Sequence, residues 1–199
     1  MKNVLIALVV LVSTTAAVAG DRADDVDRLQ SSATVIEEIM SAPDRGVPEE
    51  VFSSAKCVAV MPNMLKAAFM VGGAYGKGVA SCRTAKGWSA PAFFTLKGGS
   101  FGFQIGGEAA DIVMLIMNDQ GMNGLLASKV KLGADASVAA GPVGRHADAS
   151  TDWKMRAEVL TYSRARGAFA GISLNGAVLA EHKDDTRDSM DGWFPSGRF

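Results

Sequence analysis

The stretch Phe101-Gly102-Phe103-Gln104-Ile105-Gly106 alternates large apolar side chains with glycine or glutamine, and this period of two decides the fold class. Such alternation is typical of a β-strand whose two faces meet different surroundings. Three further segments carry strand patterns: Leu132 to Val138, Val159 to Tyr162 and Ile172 to Leu174. From Lys56 onward the chain is therefore predicted to be mainly β-structure.

Glycine is dense within these strand patterns. It occurs in the first half of the predicted sheet at Gly72, Gly73, Gly76, Gly78, Gly98, Gly99, Gly102, Gly106 and Gly107. Glycine inside a strand marks a bulge, a bend or a close approach of two backbones, as in a strongly curved sheet or a barrel. The strands do not alternate regularly with helices, which argues against a doubly wound parallel sheet.

Two helices are predicted before the strands. One apolar stripe at alternating steps of three and four defines the first helix: Val26, Leu29, Ala33, Ile36 and Met40. Pro43 to Gly46 ends this helix, and Pro48-Glu49-Glu50 begins a shorter one. A third short helix is predicted within Asn118 to Lys129. The expected fold is α+β, with N-terminal helices packed on a curved, mainly antiparallel β-sheet or partly closed barrel, and with a short inserted helix.

Residues 1–19 have the three parts of a signal peptide. Lys2 gives a positive start, Val4 to Val12 is apolar throughout, and Ala17-Val18-Ala19 offers a cleavage site before Gly20. The apolar run is about nine residues long, whereas a transmembrane helix needs about twenty. We therefore expect export to the periplasm or the extracellular space and a single mature domain over residues 20–199. The alternative is an uncut membrane anchor.

The charge balance gives no sign of a nucleic-acid partner. The chain has 20 basic and 21 acidic residues and a net charge of −1. Residues 1–19 hold one lysine and no acid, so the mature chain has 19 basic and 21 acidic residues and a net charge of −2. A nearly neutral protein has no overall field that attracts nucleic acid.

Export bears on whether the two cysteines, Cys57 and Cys82, form a disulfide. In an oxidising compartment such a pair can form a lasting disulfide, and both lie in strand-like stretches. Closing this loop would stabilise the fold by about 3 kcal/mol. The alternative is two buried free thiols that pack as small hydrophobes.

Motifs for catalysis and for metal binding are incomplete. Gly98 to Gly102 matches a nucleophile elbow with Ser100 as the nucleophile, but a strand pattern follows where the elbow needs a helix. Gly73 to Gly78 lacks the spacing of a P-loop and the hydroxyl residue after its lysine. His146 and His182 are far apart, and no ligand cluster of the usual spacing surrounds them. No enzyme activity, cofactor or metal is predicted.

A scatter of basic residues beside glycines and an aromatic residue remains as a candidate binding surface. Its members are Lys66, Lys77, Arg83, Lys86, Trp88 and Lys97. Lysine and arginine side chains and the backbone amides of glycine-rich turns can bind phosphate or an anionic head group. Tryptophan is enriched at membrane–water interfaces. The alternative is ordinary surface charge.

Four longer segments resemble the SYLF domain family. They are residues 88–92 (Trp88-Ser89-Ala90-Pro91-Ala92), 102–113, 129–145 and 162–177. The resemblance implies a lipid-binding module and not an enzyme. Eukaryotic members bind phosphoinositides, and some bundle actin, whereas bacterial members are exported.

Two considerations limit what the resemblance implies for the ligand. The polar face of the first predicted helix is acidic, and an anionic membrane would repel it. Actin would also be absent from a bacterial periplasm. We therefore expect an exported domain that binds a phospholipid or anionic head group at the cell envelope. The alternative is a structural or protein-interaction component of the envelope with no lipid ligand.

Glu108 and Asp111 allow two interpretations. They could organise a buried network with Lys129, Lys131 or Arg145, or they could form a polar binding site. The surrounding alternation of small and apolar residues favours the network.

Overall fold

The computed structural model describes residues 2–42, 46–69, 71–101, 106–127, 129–143, 157–165, 168–172, 174–183 and 186. The helices are α1 (Lys2–Ser41), α2 (Glu49–Ser54) and α3 (Asp119–Leu126). The strands are β1 (Cys57–Phe69), β2 (Val71–Thr84), β3 (Gly87–Trp88), β4 (Ala92–Phe101), β5 (Gly106–Ile116), β6 (Lys129–Lys131), β7 (Val138–Ala140), β8 (Val159–Ala165), β9 (Ala168–Gly171) and β10 (Val178–Glu181). Among these described helices, none has both the length and the apolar character that crossing a membrane requires.

The strands form one strongly curled sheet. Its order is β6-β10-β4-β2-β1-β5-β8-β7, with β3 added to β2 and β9 added to β8. All neighbours are antiparallel except β7 and β8. Residues 132–137 join the two end strands and reach at most about 25 Å, whereas a flat sheet would hold its first and eighth strands about 34 Å apart. The sheet therefore curls toward a half-barrel, and the predicted α+β fold class is confirmed.

The inner face of the sheet encloses the main core. Met61, Leu96 and Met114 are fully buried there, and Leu125 of α3 packs against the same cluster. Asn118 begins α3 by accepting a hydrogen bond from the Gly121 amide at 2.8 Å, which is an N-cap. The predicted inserted helix is thus confirmed, and it closes the inner core.

Helices α1 and α2 cover one end of the outer face. Val35 and Ile39 of α1 and Val51 of α2 are buried in one cluster with Val60 and Leu115 of the sheet. Further toward the N-terminus of α1, the Arg28 guanidinium lies 5.5 Å from the Phe93 ring centroid on β4. Since Glu38 pairs with Arg164 of β8, α1 crosses the outer face from β4 to β8.

The buried face of α1 corrects the sequence prediction. The buried positions are Asp25, Ser32, Val35 and Ile39, whereas Val26 and Ala33 of the predicted stripe are exposed. The observed face lies one residue earlier along the chain, a rotation of about 100°. Asp25 and Arg28 form an ion pair at 2.6 Å, so the helix buries polar contacts at this end that an apolar stripe does not reveal.

Two predicted strands are also corrected. Between Leu132 and Val138 the chain turns: Gly133 has φ 84°, and the Asp135 carboxylate accepts a hydrogen bond from the Lys131 amide at 2.7 Å. Both are turn features. Ile172 and Leu174 lie outside the strands. Residues 102–105 of the opening pattern and Ser173 lie outside the described residues.

Cys57 and Cys82 form a disulfide between β1 and β2. They are direct partners in the antiparallel register, as the paired strand patterns suggested. The disulfide prediction is therefore confirmed.

The structure also decides the role of Asp111, one of the two acids with open interpretations. Its carboxylate accepts hydrogen bonds from the Asn63 amide at 2.9 Å and from the Arg164 Nε at 2.7 Å. Asp111 thus belongs to a structural network, but Arg164 is the partner in place of the predicted Lys129 or Lys131. The Glu108 side chain and Arg145 lie outside what the structure describes.

Candidate functional site

No helix in the described part of the chain covers the other end of the outer face. Strand register places one row of residues side by side across this end: Ala109, Leu65, Tyr75, Lys97, Val178 and Lys131. Directly opposed residues of antiparallel strands lie on the same face. The next row toward α1 contains Lys77 and Lys129. We call these two rows the outer platform.

The outer platform combines exposed apolar surface with positive charge. Leu65 is 63% exposed and Tyr75 is 45% exposed. The Lys97 ammonium lies 5.6 Å from the Tyr75 ring centroid, within the range of a cation–π contact. An exposed leucine alone needs no explanation, but a leucine, a tyrosine and a lysine on three neighbouring strands form a continuous amphipathic patch.

The lysines of the outer platform are not used in ion pairs within the described part of the chain. Carboxylates there pair with Arg28, Lys56 and Arg164, and none lies within 4.0 Å of Lys77, Lys97, Lys129 or Lys131. These four ammonium groups therefore keep their charge available for an anion.

Arg83, Lys86 and Trp88 lie at the far end of β2 in a second cluster. The Arg83 guanidinium stacks 4.5 Å from the Trp88 ring centroid, and its Nε donates to the Ala55 carbonyl at 2.9 Å. The rings of Trp88 and Phe52 lie 6.5 Å apart. Arg83 thereby holds the end of α2 to the sheet, so much of its hydrogen-bonding capacity serves the fold.

The six predicted binding residues consequently do not form one site. Lys77 and Lys97 belong to the outer platform, whereas Arg83, Lys86 and Trp88 belong to the second cluster. Lys77 and Arg83 are about 20 Å apart along β2, and α1 crosses between them over the buried pair Val79–Phe93. Lys66 pairs with Ala74 and Glu108 in the backbone register, and its side chain lies outside what the structure describes.

Comparisons with known proteins place the chain in a family. Residues 97–191 match the family described as Ysc84, Las17-binding protein actin regulator. The SH3 domain-containing YSC84-like protein 1 of Rattus norvegicus is 36% identical over 149 residues, which are 74% of this chain and 44% of that protein. The chain belongs to the SYLF family. The prediction from the sequence motifs is confirmed.

Other SYLF relatives have similar coverage. The human YSC84-like protein 1 is 35% identical over 149 residues, 74% of this chain and 43% of its own length. The LAS seventeen-binding protein 3 of Saccharomyces cerevisiae is 33% identical over 148 residues, 72% of this chain and 32% of its own length. This SYLF chain thus spans less than half the length of the relatives it matches.

Leu65, Tyr75, Lys129 and Lys131 of the outer platform are not among the binding residues that the sequence predicts. Lys129-Val130-Lys131 does carry a signal, because its alternation predicts a short strand with both lysines on one face. Their position beside Lys97 depends on β10 pairing with both β4 and β6, and no local pattern reveals that pairing.

The inner face offers no comparable space around α3. A cavity of about 10 Å³ lies there, lined by apolar residues that include Met114, Leu125 and Leu179. A single water needs about 10–15 Å³, so this cavity cannot take an acyl chain.

The motifs set aside for catalysis lie in regular strands. Ser100 is within β4 with Gly72 as its register partner, and Gly73 to Gly78 is part of β2. Neither segment forms the strand-to-helix turn that the two motifs require. Within the described ranges, no three His, Cys, Asp or Glu side chains come together as metal ligands.

Proposed function

We propose that this SYLF domain binds anionic phospholipid surfaces through its outer platform, without catalysis, at the cell envelope. One observation carries the proposal: exposed Leu65 and Tyr75 lie in one row with Lys97, on a sheet end that no described helix covers. Descriptions of the family and of its relatives as binding proteins support a role in binding.

The composition of the outer platform suits a membrane surface. Tyrosine and leucine side chains bury apolar area at the head-group level. Each basic residue near an anionic surface contributes about 1 kcal/mol. Because the second cluster uses Arg83 to hold α2, we assign the main contact to the outer platform.

Vesicle co-flotation with single substitutions tests the proposal. We expect the protein to float with anionic vesicles at low salt and not with neutral ones. Lys97→Glu changes the local charge by two units and should weaken binding about 30-fold, from about 1 kcal/mol per charge. Leu65→Ser should weaken binding at every salt concentration, because it removes apolar contact and no charge.

Lys56→Glu is the matched control. Lys56 is exposed and pairs with Asp119 at 3.1 Å, away from the outer platform, and it makes the same change in net charge. Failure of the unaltered protein to float with anionic vesicles at low salt would refute lipid binding. An equal loss in Lys56→Glu and Lys97→Glu would refute the outer platform as the contact surface.

Export forms the second part of the proposal. The disulfide between Cys57 and Cys82 supports it, since such bonds persist in oxidising compartments. Cleavage before Gly20 would then release the mature domain. Mass spectrometry of the protein from the envelope fraction should find Gly20 as the first residue, and recovery of intact residues 1–19 would contradict removal of the signal peptide.

A protein-binding role is the second candidate function. The family description and the name of the yeast relative both refer to binding a protein partner, and the matched residues 97–191 include three of the four platform lysines. Affinity capture from envelope extracts tests it. A stoichiometric protein partner together with negative flotation would favour this role over lipid binding.

A further inference from the structure

One end of the sheet carries no charged residue. It is formed by the four central strands β4, β2, β1 and β5. From residue 67 to 76 and again from 98 to 107, the sequence has no Asp, Glu, Lys, Arg or His. The first of these stretches runs from β1 into β2, and the second runs from β4 into β5. We call their described residues the tip: 67–69, 71–76, 98–101 and 106–107.

The last register row of the tip consists of large apolar residues. Val71 of β2 is the register partner of Phe69 on β1 and of Phe101 on β4. The row that contains Lys66 and Ala74 is three residues further back, which is about 10 Å along the strands. The tip is therefore an uncharged layer about 10 Å deep that ends in an apolar row.

The tip continues the apolar surface of the outer platform. The exposed Leu65 and Tyr75 lie two residues behind Ala67 and Gly73. Gly73 is itself exposed, and a Cβ added to it would meet no atom within 4 Å. The described residues thus leave this part of the tip open. Exposed apolar surface that extends over several strands marks a contact with a membrane or with another protein.

The backbone limits how deeply the tip can enter a membrane. Strand β10 pairs with β4 only as far as Lys97, and β8 pairs with β5 only as far as Asp111. Beyond these points, the outer edges of β4 and β5 have no strand partner among the described residues. Unpaired N–H and C=O groups are not tolerated in the hydrocarbon core, but water reaches them at the interface. Interfacial elements bury their apolar face by about 5–10 Å, which matches the depth of the tip.

The charges behind the tip favour a bilayer as the occupant. The first charged residues on the four strands are three lysines and one acid: Lys66, Lys77, Lys97 and Glu108. They lie about 10–20 Å behind the apolar row. When that row reaches the acyl boundary, this positive layer is level with the head groups, where basic residues are attracted to anionic lipids.

We propose that the tip enters the head-group and upper acyl region of a bilayer end-on, with the four central strands steeply inclined to the membrane. The inference rests on the proposed lipid binding and adds the orientation of the domain and its apolar contact. In this orientation the row Phe69–Val71–Phe101 is the deepest part of the described chain. Leu65 and Tyr75 of the outer platform lie at the head-group level behind it.

A fluorescent label on an introduced cysteine measures the depth. Gly73→Cys places a nitrobenzoxadiazole label in the tip, and Ala85→Cys places it at the other end of β2, about 35 Å away. Both positions are exposed, and neither substitution changes the charge. The vesicles contain phosphatidylglycerol and a phosphatidylcholine that is brominated either near the carbonyl end or near the methyl end of its acyl chains. We expect loss of fluorescence at position 73 with bromine near the carbonyl end, a smaller loss with bromine near the methyl end, and no loss at position 85.

A matched pair of substitutions tests the apolar contact. Phe101→Ser should weaken vesicle binding about tenfold because it removes apolar area from the membrane, and the loss should be the same at low and high salt. Leu126→Ser is the control and should leave binding unchanged. Leu126 is 64% exposed on α3, and α3 packs beside Ile116 at the opposite end of β5.

The outcomes separate this inference from the proposed function. Vesicle binding without quenching at position 73, or with equal quenching at positions 73 and 85, would overturn insertion of the tip while lipid binding stands. No binding to the vesicles would overturn the proposed function and the inference with it. A dimer that Phe101→Ser dissociates in light scattering, with vesicle binding unchanged, would assign the tip to a second copy of the chain and overturn its insertion.

Discussion

Gly78 of β2 lies against the backbone of β1, and replacing it with alanine is a sharp test of the curled sheet. An added Cβ would overlap the carbonyl oxygen of Val60 and would lie 2.8 Å from the Cα of Met61. The register of β1 shifts just beyond this point, and Asn63 adopts a left-handed φ of 51°. The bulge thus brings the β1 backbone over Gly78.

The cost of Gly78→Ala follows from what the methyl meets. Both contacts are backbone atoms of the central strand pair, so no side chain can rotate away to make room. Overpacking of a core costs about 1–3 kcal/mol, and we expect the upper end of that range here. For a domain of this size each kcal/mol lowers the melting temperature by about 2–4 °C, so the expected loss is about 9 °C.

Gly73→Ala is the matched control because it makes the same substitution in the same strand. A Cβ at Gly73 meets no atom within 4 Å, and alanine is about 0.5–1 kcal/mol better than glycine inside a strand. Urea unfolding of the two variants gives the comparison. Gly78→Ala within about 0.5 kcal/mol of the parent protein, or equal losses in both variants, would refute the close approach of β1 and β2.

Three further predictions test separate parts of the structure. Cys57→Ala combined with Cys82→Ala should lower the free energy of unfolding by about 3 kcal/mol. A reducing agent should lower the free energy of unfolding of the parent protein by a similar amount and so lower its urea midpoint; unchanged midpoints would contradict the disulfide. Burial raises the pKa of Tyr162 above its ordinary value, so the neutral phenol is favoured in the folded state and stability should fall as the pH rises above about 10. Tyr162→Phe should reduce that alkaline loss in pH-dependent unfolding, and an identical pH profile would show that Tyr162 is not the group responsible. Asp111→Asn should cost about 2 kcal/mol, because the carboxylate accepts charge-assisted hydrogen bonds; calorimetry showing no loss would remove Asp111 from the structural network.

The sequence predicts the strands and the disulfide well, because both depend on local alternation. Cys57 and Cys82 lie in two strands that pair directly, and the glycines between them predict curvature. The strand prediction fails at residues 132–138, where small residues imitate alternation. Turn chemistry decides there: Gly133 takes a positive φ, and Asp135 binds the Lys131 amide.

The face of α1 shows a second limit. Apolar periodicity selects residues that are one position away from the buried ones, because the helix covers polar groups at one end. Asp25 and Ser32 are buried there, and Arg28 lies over Phe93. A pattern of apolar residues does not reveal a buried face that includes charged side chains. The rotation of this helix is therefore determined by its tertiary contacts.

The candidate site was only partly predictable because it is a product of strand order. The chemistry of Lys77 and Lys97 identifies them in the sequence, but the same criterion groups Arg83 and Trp88 with them. The structure separates these pairs along β2 and adds Lys131, which is distant in sequence from Lys97. Only the pairing of β10 with both β4 and β6 places the two lysines in one row.

The end of the sheet that no described helix covers brings together two kinds of side chain that respond differently to salt. Coulomb attraction by Lys77 and Lys97 to an anionic surface decreases once the Debye length falls to about 3 Å at 1 M salt. Burial of Leu65 and Tyr75 does not weaken in this way. Binding through the outer platform should therefore have a salt-dependent part set by the lysines and a salt-resistant part set by the apolar pair. Lysine substitutions would change the slope of affinity against salt, and Leu65→Ser would shift the whole curve without changing its slope.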